Sequence, residues 1–483
     1  MEQYFQSFFK LKENEVRDYP PFENLHTTPQ KAFQQQKERS PKELPEIESY
    51  PSSFSDSVES RRILLQKEKQ QKQLKETIIG LYIGQIVGNI IGLCGEGRTK
   101  SEMNFLYKMS SDVSKHSNEK TKMKHIHKSE RKESQNEISY ETCVINHITA
   151  MYMNSDFVLN DWSCDIDQSV LLLDSLLANN GKVNVDDIAK RMKYWKHFGF
   201  TELGDIKGYG YGNTFRICVG HDKFLENPIE TSENRWKKGL IPRDTDGSVM
   251  RTPFIVPFFF FNENFLIENV KIVGSITHPS FQCQAAVVVV STILSRLLSN
   301  GEKMYENVDF DENSEMKDKQ KSFSSELQDS SEKTINRKVI DKIIDEAFEN
   351  GVLELEVGNK EQIENLKKHV YFNSLSELKL EKNVTFCMKP MACAIYALKR
   401  VEELENEGFG KKEIFRKCME EIVMEGGDTD TNCGVAGSVI GAYLKGLCVP
   451  DEWLRIKHLK WIEEKIDRVL KMFGFDGYHW EKI

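Results

Sequence analysis

The amino-acid sequence predicts an all-α protein, and three observations support this prediction. Apolar residues recur at helical spacing over 339–348 and end at Asn350-Gly351, a pair typical of a helix C-terminus. The run 281–299 contains a Val-Val-Val-Val stretch, but it is longer than the roughly ten residues that strands rarely exceed, so a buried helix is favoured. Regular strand–turn–strand patterning is hard to find.

The first 60 residues are polar and punctuated by prolines. They show no sustained periodicity, which indicates a disordered or partner-bound extension rather than a domain. A long helical segment is predicted from Arg61 onward, and 61–483 is expected to be one helical domain. The apolar positions that indicate this first helix are Ile63, Leu64, Leu74, Ile78, Ile79, Leu81 and Tyr82.

Two stretches inside this domain, 108–137 and 302–337, contain few aliphatic residues. We expect polar loops there, because neither stretch can bury enough surface to offset the entropy lost on ordering. Further helices are predicted at 393–404 and 435–443.

Composition argues against several classes of function. The 483 residues carry 66 Lys and Arg against 75 Asp and Glu, a net charge of −9, so direct nucleic-acid binding is not expected. The N-terminus has no secretory-signal pattern, and no uninterrupted apolar stretch reaches the roughly 18 to 20 residues of a membrane helix.

The 10 cysteines form no Cys-x-x-Cys pair, which favours buried free thiols in a reduced compartment, the cytoplasm or else the nucleus.

The strongest local feature is the segment 426–432, Gly-Gly-Asp-Thr-Asp-Thr-Asn. Its glycines allow a close backbone turn, and Asp428, Asp430 and Thr431 can present three oxygen atoms at the start of an apolar helix. Oxygen ligands suit a hard cation such as Mg²⁺, Mn²⁺ or Ca²⁺. A helix cap would explain part of the same pattern, but one cap does not need both aspartates.

A second acidic segment, 162–168, reads Trp-Ser-Cys-Asp-Ile-Asp-Gln and also precedes an apolar run. The two segments could converge on one or two cations, although capping and the helix dipole would also explain the carboxylates. In a third segment, 80–92, glycine recurs at every fourth position, so another helix or a ligand could approach closely. Glu96 follows in a glycine-flanked loop, from which its carboxylate could reach over a site.

Taken together, these segments resemble the ADP-ribosylglycohydrolase family, whose motifs occur here in the family's order over residues 75–450. Each motif alone is modest evidence, whereas all of them in order are strong evidence. The matching segments are 84–96 (glycine-rich helix and mobile-loop glutamate), 162–177 (first acidic motif), 200–214 (glycine-rich stretch), 246–251 (Asn-Gly-Ser-x-Met-Arg loop), 275–279 (Thr-His segment) and 426–441 (second acidic motif).

The resemblance implies an orthogonal multi-helix bundle with one or two Mg²⁺ or Mn²⁺ ions at the bottom of a cleft. It also implies cleavage of the glycosidic bond between ADP-ribose and a modified side chain or small molecule, with the ions positioning the ribose hydroxyls. The implied metal ligands are Ser163, Asp165, Asp428, Asp430 and Thr431. The implied catalytic carboxylates are Glu96 and Asp165. The implied ADP-ribose contacts are Gly208, Gly210, Gly212, Gly247, Ser248 and His278.

The first acidic motif departs from the family's pattern. Cys164 stands where the family has its first aspartate, and Ile166 stands where a hydroxyl residue is usual. A thiol is a poor ligand for Mg²⁺, so we expect at least one cation site to be weakened. Asn89 and Asp246 also differ, since the family has an aspartate and an asparagine, respectively, at those two positions.

Two functions are therefore open. The protein could be a divalent-cation-dependent hydrolase that acts on an ADP-ribosylated protein or an ADP-ribose-like small molecule. Alternatively, it is a pseudoenzyme that binds ADP-ribose or a nucleotide without cleavage, or a structural component docked to a larger assembly through residues 1–60. Turnover of ADP-ribosylated peptides distinguishes the two.

Overall fold

The protein is described here by a computed structural model that covers residues 58–108, 160–299, 337–478 and 480. Helices dominate these ranges, which confirms the predicted all-α class. The helices are α1 (Val58–Gly92), α2 (Cys164–Ala178), α3 (Val185–Phe198), α4 (Asn213–Val219), α5 (Pro228–Lys237), α6 (Glu263–Ser275), α7 (Phe281–Leu298), α8 (Arg337–Leu353), α9 (Lys360–Val370), α10 (Leu375–Leu378), α11 (Met388–Asn406), α12 (Lys411–Val423), α13 (Thr429–Leu444) and α14 (Leu459–Met472). Residues 100–108 are also helical, and two short strands, β1 (Arg98–Thr99) and β2 (Gly426–Gly427), pair within the same ranges.

Helices α1 and α13 cross with their backbones in direct contact. A Cβ atom on Gly84 would overlap the carbonyl oxygen of Gly437, and one on Gly80 would overlap that of Gly441. The glycine spacing of α1 indicated a close approach by a helix or a ligand, and the structure shows that the partner is a helix. Only residues without a side chain permit this separation.

The core is one continuous set of apolar residues drawn from all three described ranges. Every residue of α13 is buried, since α1 covers one side of it while α11 and α12 cover others. Helix α7 is buried along most of its length and packs against α6 and α8. As a result, the N-terminus of α13, with its two aspartates, lies inside the protein rather than on its surface.

The two strands connect the end of α1 to the start of α13. They pair antiparallel, with Arg98 opposite Gly427 and Thr99 opposite Gly426. Gly426 and Gly427 have φ angles of +70° and +88°, a region that residues with a side chain rarely adopt. The backbone N–H of Gly97 also donates to the carbonyl of Gly427 at 2.8 Å. This pairing holds the loop after α1 beside the second acidic motif.

The most apolar parts of the chain are packed inside the fold. The run Thr252–Phe258 forms a fully buried 3₁₀-helix. The helices Glu68–Gly95 and Phe281–Leu298 are long and apolar enough on average to cross a membrane by length and composition, although polar residues interrupt both. Their most apolar windows are 100% and 83% buried in the protein, so core packing accounts for their hydropathy.

Several helix boundaries differ from the prediction. The helices expected at 393–404 and 435–443 are longer at both ends, as α11 and α13 show. Helix α1 begins at Val58, earlier than expected, and α8 continues through Gly351 to Leu353. A Cβ atom on Gly351 would lie 2.6 Å from a methyl carbon of Val289 in α7. This glycine therefore allows α8 to approach α7 and does not end the helix, because its role is set by packing rather than by capping.

Several predictions fall on parts of the chain that the structure does not describe. The extension 1–60 and the insertions 108–137 and 302–337 lie outside the described residues except at their ends. Their character and the domain boundaries stay predictions. The cysteines in the described ranges are all free and buried, as expected for that part of the chain.

A buried ion pair joins α14 to α2. Lys465 Nζ lies 2.8 and 3.0 Å from the two carboxylate oxygens of Asp174, and both residues are buried. Since Lys465→Met leaves the aspartate buried without a partner, we expect the free energy of unfolding to fall by about 3–5 kcal/mol, as measured by urea denaturation. A double variant that also carries Asp174→Leu should recover most of this loss. Equal instability of the single and double variants would contradict the pairing argument.

Candidate active site

A cavity of about 360 Å³ lies at the N-termini of α2 and α13. Its remaining walls include the loop after α1, the loop before α4 and the loop before α7. Its lining includes five carboxylates, Glu96, Asp165, Asp246, Asp428 and Asp430. Ser163 and Thr431 add hydroxyl groups. No lysine or arginine is among the described residues that line it. The donor set is therefore rich in oxygen and negative charge.

The second acidic motif forms the N-terminus of α13. Asp428 immediately precedes the helix but makes no side-chain capping hydrogen bond, so capping does not account for this carboxylate. Thr429 Oγ1 donates to the carbonyl oxygen of Gly92 at 2.5 Å, which secures the turn against the end of α1. Asp428 and Asp430 both line the cavity.

The two acidic motifs are in direct contact. Thr431 Oγ1 donates to Asp165 Oδ2 at 2.7 Å, although the residues are 266 positions apart in the chain. Ser163 is the N-cap of α2, and its Oγ accepts from the backbone N–H of Asp165 at 3.4 Å. The sequence predicted that these segments could converge, and the structure brings them together at one end of the cavity.

Asn89, from the glycine-rich helix α1, holds the first motif in place. Its Nδ2 donates to Ser163 Oγ at 2.9 Å and lies 3.4 Å from Asp165 Oδ2. Its Oδ1 accepts from the backbone N–H of Ser163 at 2.9 Å. Asn89 is fully buried, so these contacts satisfy an amide that would otherwise be costly to bury. The residue thus orients Ser163 and Asp165.

Glu96 lies at the mouth of the cavity. The residue is exposed, but one of its carboxylate oxygens and those of Asp428 and Asp430 all lie within 4.8 Å of one another. The pKa of Glu96 is raised well above the usual range of a glutamate. The largest cause is desolvation of its carboxyl group, and the negative charges of Asp430 and Asp428 add to it.

Crowding also raises the pKa of the deeper carboxyl groups. Burial, and then the charge of Asp430, raises the pKa of Asp428 to about 7. Burial raises the pKa of Asp165 and of Asp246 well above the normal value, and neighbouring carboxylates add to both shifts. Lys389 is close enough to feel the charges of Asp428 and Asp246, but its Nζ donates to the backbone carbonyls of Lys379 and Leu380. So many buried acids with no lysine or arginine in the lining are unfavourable for the protein alone, and a bound divalent cation would relieve the repulsion.

Cys164 lines the same cavity at the start of α2. Its Sγ lies 3.6 Å from Asp165 Oδ1 and 3.8 Å from Gln168 Nε2. Burial, and then the charge of Asp165, raises the pKa of the thiol well above its usual value, so the group is neutral near pH 7. A neutral thiol supplies neither the charge nor the hard donor atom that a carboxylate would give a Mg²⁺ ion.

The predicted ADP-ribose contacts are only partly assembled around this cavity. Those that line it are Gly210, Gly212, Gly247 and His278. Two others lie behind the lining. The backbone N–H of Gly208 donates to the carbonyl of Trp195 at 2.8 Å, and Ser248 is fully buried.

A buried arginine organises the wall around His278. Arg251 Nη2 donates to Thr277 Oγ1 at 2.6 Å, and this oxygen lies 2.7 Å from His278 Nδ1. Because the threonine oxygen accepts from Arg251, its own hydrogen can point to Nδ1, which leaves the imidazole proton on Nε2. Burial, and then the charge of Arg251, lowers the pKa of His278 well below its usual value. The ring is therefore neutral and can donate one hydrogen bond into the cavity.

The sequence analysis named Asn89 only as a departure from the family's pattern, and it did not predict the supporting roles of Asn89, Gln168 and Arg251 in the site. Arg251 Nη1 donates to Gln168 Oε1 at 2.9 Å, which joins the His278 wall to α2. The available signal was a polar side chain at an otherwise apolar position, as for Asn89 within the glycine-rich helix. A polar side chain that is buried needs a hydrogen-bond partner, so such a residue is a candidate member of a hydrogen-bond network.

Comparison with known proteins agrees with the motif order. A model of the ADP-ribosylglycohydrolase family matches residues 70–477, a range that includes every residue of the cavity lining. A search of curated proteins found no match. On the extent of the family match, the chain belongs to the ADP-ribosylglycohydrolase family.

Proposed function

We propose that this protein hydrolyses the glycosidic bond between ADP-ribose and a modified side chain or small molecule, and that it requires a divalent cation. The observation that carries the proposal is the convergence of both acidic motifs on one cavity through the Thr431–Asp165 hydrogen bond. Membership of the glycohydrolase family supports the reaction class. The acidic lining supports the cation requirement.

The donor set fits a hard cation such as Mg²⁺ or Mn²⁺. Carboxylate and hydroxyl oxygens surround the cavity, and the one thiol among its lining residues, Cys164, is neutral. The residues that would hold the cation are Asp428, Asp430, Asp165, Thr431 and Ser163. A bound divalent cation would supply Lewis-acid positioning of the ribose hydroxyls.

The protein's own side chains would supply the proton and the hydrogen bonds that the reaction needs. Glu96 lies at the mouth of the cavity, where its carboxyl group, when protonated, can donate a proton to the leaving atom of the glycosidic bond. His278, neutral and fixed by Thr277, can donate a hydrogen bond to an oxygen of the substrate. A Cβ on Gly247 would lie 2.6 Å from the His278 ring, so only glycine leaves this wall open to a ligand.

The expected substrate is an ADP-ribosylated protein or an ADP-ribose-like small molecule, and the expected location is the cytoplasm. Carboxyl and hydroxyl groups are concentrated in the cavity wall, which suits a ligand whose phosphates and hydroxyls approach through a bound cation. Association with a larger assembly through residues 1–60 belongs to the same proposal but concerns residues that the structure does not describe.

One observation favours binding without hydrolysis as a second candidate. Cys164 occupies a lining position at the start of α2 where a carboxylate would add a ligand. Loss of that charge would weaken cation binding more than it would weaken contacts made by the glycines and His278. The protein would then retain ADP-ribose and turn it over slowly or not at all.

A turnover assay separates the two candidates. Arginine- and serine-ADP-ribosylated peptides are incubated with the full-length protein in Mg²⁺ or Mn²⁺, and released ADP-ribose is measured. We expect release by the wild type that stops in EDTA. Binding of ADP-ribose with no release in either metal would support the second candidate.

The variant Cys164→Asp tests the weakened site directly. We expect it to bind Mn²⁺ at least about 10-fold more tightly, because a hard charged ligand replaces a neutral thiol. Without metal it should melt at a lower temperature, since another carboxylate enters a crowded acidic site. The isosteric variant Cys164→Ser is the control, and it should change neither quantity in this way. Unchanged Mn²⁺ affinity in Cys164→Asp would show that position 164 does not face the cation.

A further inference from the structure

The loop before α6 brings one more carboxylate into the site than the two acidic motifs supply. Asp246 begins a short 3₁₀-helix, Asp246–Ser248, and is only 6% exposed. It lines the cavity together with the motif residues. In the sequence, Asp246 is followed by Gly247 and Ser248 and forms an Asp-Thr-Asp run with Asp244, whose carboxylate accepts from Gln282 Nε2 at 2.9 Å and does not line the cavity.

The backbone of Asp246 is fixed by several hydrogen bonds. Its N–H donates to the carbonyl oxygen of Thr385 at 3.0 Å, next to the bridge between Thr245 and Phe386. Its own carbonyl oxygen accepts from the N–H of Val249 at 2.7 Å. The backbone of the loop is therefore anchored at Thr385, which also lines the cavity, and the side chain has little freedom to move to another partner.

The carboxylate itself is left with an unsatisfied oxygen. Asp246 Oδ2 is buried and has no hydrogen-bond partner. The side chain is also within hydrogen-bonding reach of the carboxyl group of Asp428. Two acids in contact in the cavity wall, one of them with a buried oxygen that has no partner, form an arrangement that a cation between them would complete.

We propose that Asp246 is a ligand of the divalent cation, shared with Asp428, and that it supplies the negative charge that Cys164 does not. This inference rests on the proposed cation-dependent function. The two positions approach the cavity from different elements, Cys164 from α2 and Asp246 from the loop before α6. The charge of the site is thus maintained by a residue far from either acidic motif.

The experiment is Mn²⁺ binding to the full-length protein after EDTA treatment and dialysis. Isothermal calorimetry gives affinity and stoichiometry, and the rise in melting temperature on adding Mn²⁺ gives an independent readout. We expect Asp246→Asn to weaken Mn²⁺ binding at least about 10-fold and to shrink the thermal shift. In the absence of metal, the same variant should melt at or above the wild-type temperature, because it removes a repulsive carboxyl group.

Two further variants make the result decisive. Asp428→Asn should lose binding more completely, and Asp167→Asn, an acid of α2 outside the cavity lining, should bind Mn²⁺ like the wild type. If Asp428→Asn loses binding while Asp246→Asn keeps wild-type affinity, the two acids merely share a proton and the inference is wrong. If the wild type itself binds no Mn²⁺, the cation requirement of the proposed function fails instead.

Discussion

Replacing Asp428 by asparagine should reduce release of ADP-ribose by at least roughly 100- to 1000-fold, the scale on which enzymes respond to loss of one preorganised charged or polar group. A carboxylate oxygen of Asp428 lies within 4.8 Å of oxygens of Glu96 and Asp430, and its carboxyl group is within hydrogen-bonding reach of Asp246. Asparagine has the same shape but carries no charge. The measurement is the initial rate with Mn²⁺ at saturation, together with the Mn²⁺ affinity.

The loss should be separable from misfolding. Asp428→Asn removes one of several mutually repelling buried carboxyl groups, so the metal-free variant should melt at or above the wild-type temperature. Asp167→Asn is the matched control, because it neutralises a nearby acid that accepts from Trp162 Nε1 at 2.8 Å and does not line the cavity. Turnover by Asp428→Asn within a few-fold of the wild type would rule out the assigned site.

Replacing Gly437 by alanine should cost about 3 kcal/mol or more of unfolding free energy, at the upper end of the range for overpacked cores. The added methyl group would overlap the carbonyl oxygen of Gly84, and both atoms belong to backbone held in regular helices. Neither helix can move aside without separating along the whole crossing. Urea denaturation of the full-length protein measures the change.

Gly434, in the same helix, provides the control. A Cβ there would lie 3.4 Å from Asn89 Cβ, an ordinary van der Waals distance. Gly434→Ala should therefore change stability by less than about 1 kcal/mol, since helix propensity favours alanine by a similar amount. If both variants lost the same stability, general disturbance of α13 rather than backbone contact would be the cause.

The helix crossing also connects stability to the site. Helix α13 carries Asp430 and Thr431 in its first turn, and Thr429 fixes that turn to the end of α1. A shift of α13 away from α1 would move these ligands relative to Asp165. Partial activity in a destabilised Gly437→Ala protein should thus be accompanied by weaker Mn²⁺ binding.

Much of this architecture could be predicted from local pattern. Helical periodicity predicted α8, and the length of the apolar run predicted that α7 is a helix. The glycine spacing of α1 predicted its close contact with another helix or a ligand. The ligand candidates at the start of α13 were visible because two aspartates alternate with two threonines after a glycine pair. These features could be predicted from the sequence because each depends on residues that lie within one or two helical turns of each other.

The chain sequence by itself determined the helical class, the two acidic helix starts and the absence of a carboxylate at Cys164. Only the tertiary structure decided that Thr431 bonds to Asp165, that Asn89 holds Ser163, and that Asp246 enters the cavity from a separate loop. The reason is physical. Periodicity and capping follow from neighbouring residues, whereas the charge balance of a buried cavity depends on which distant carboxylates the packing of helices brings together.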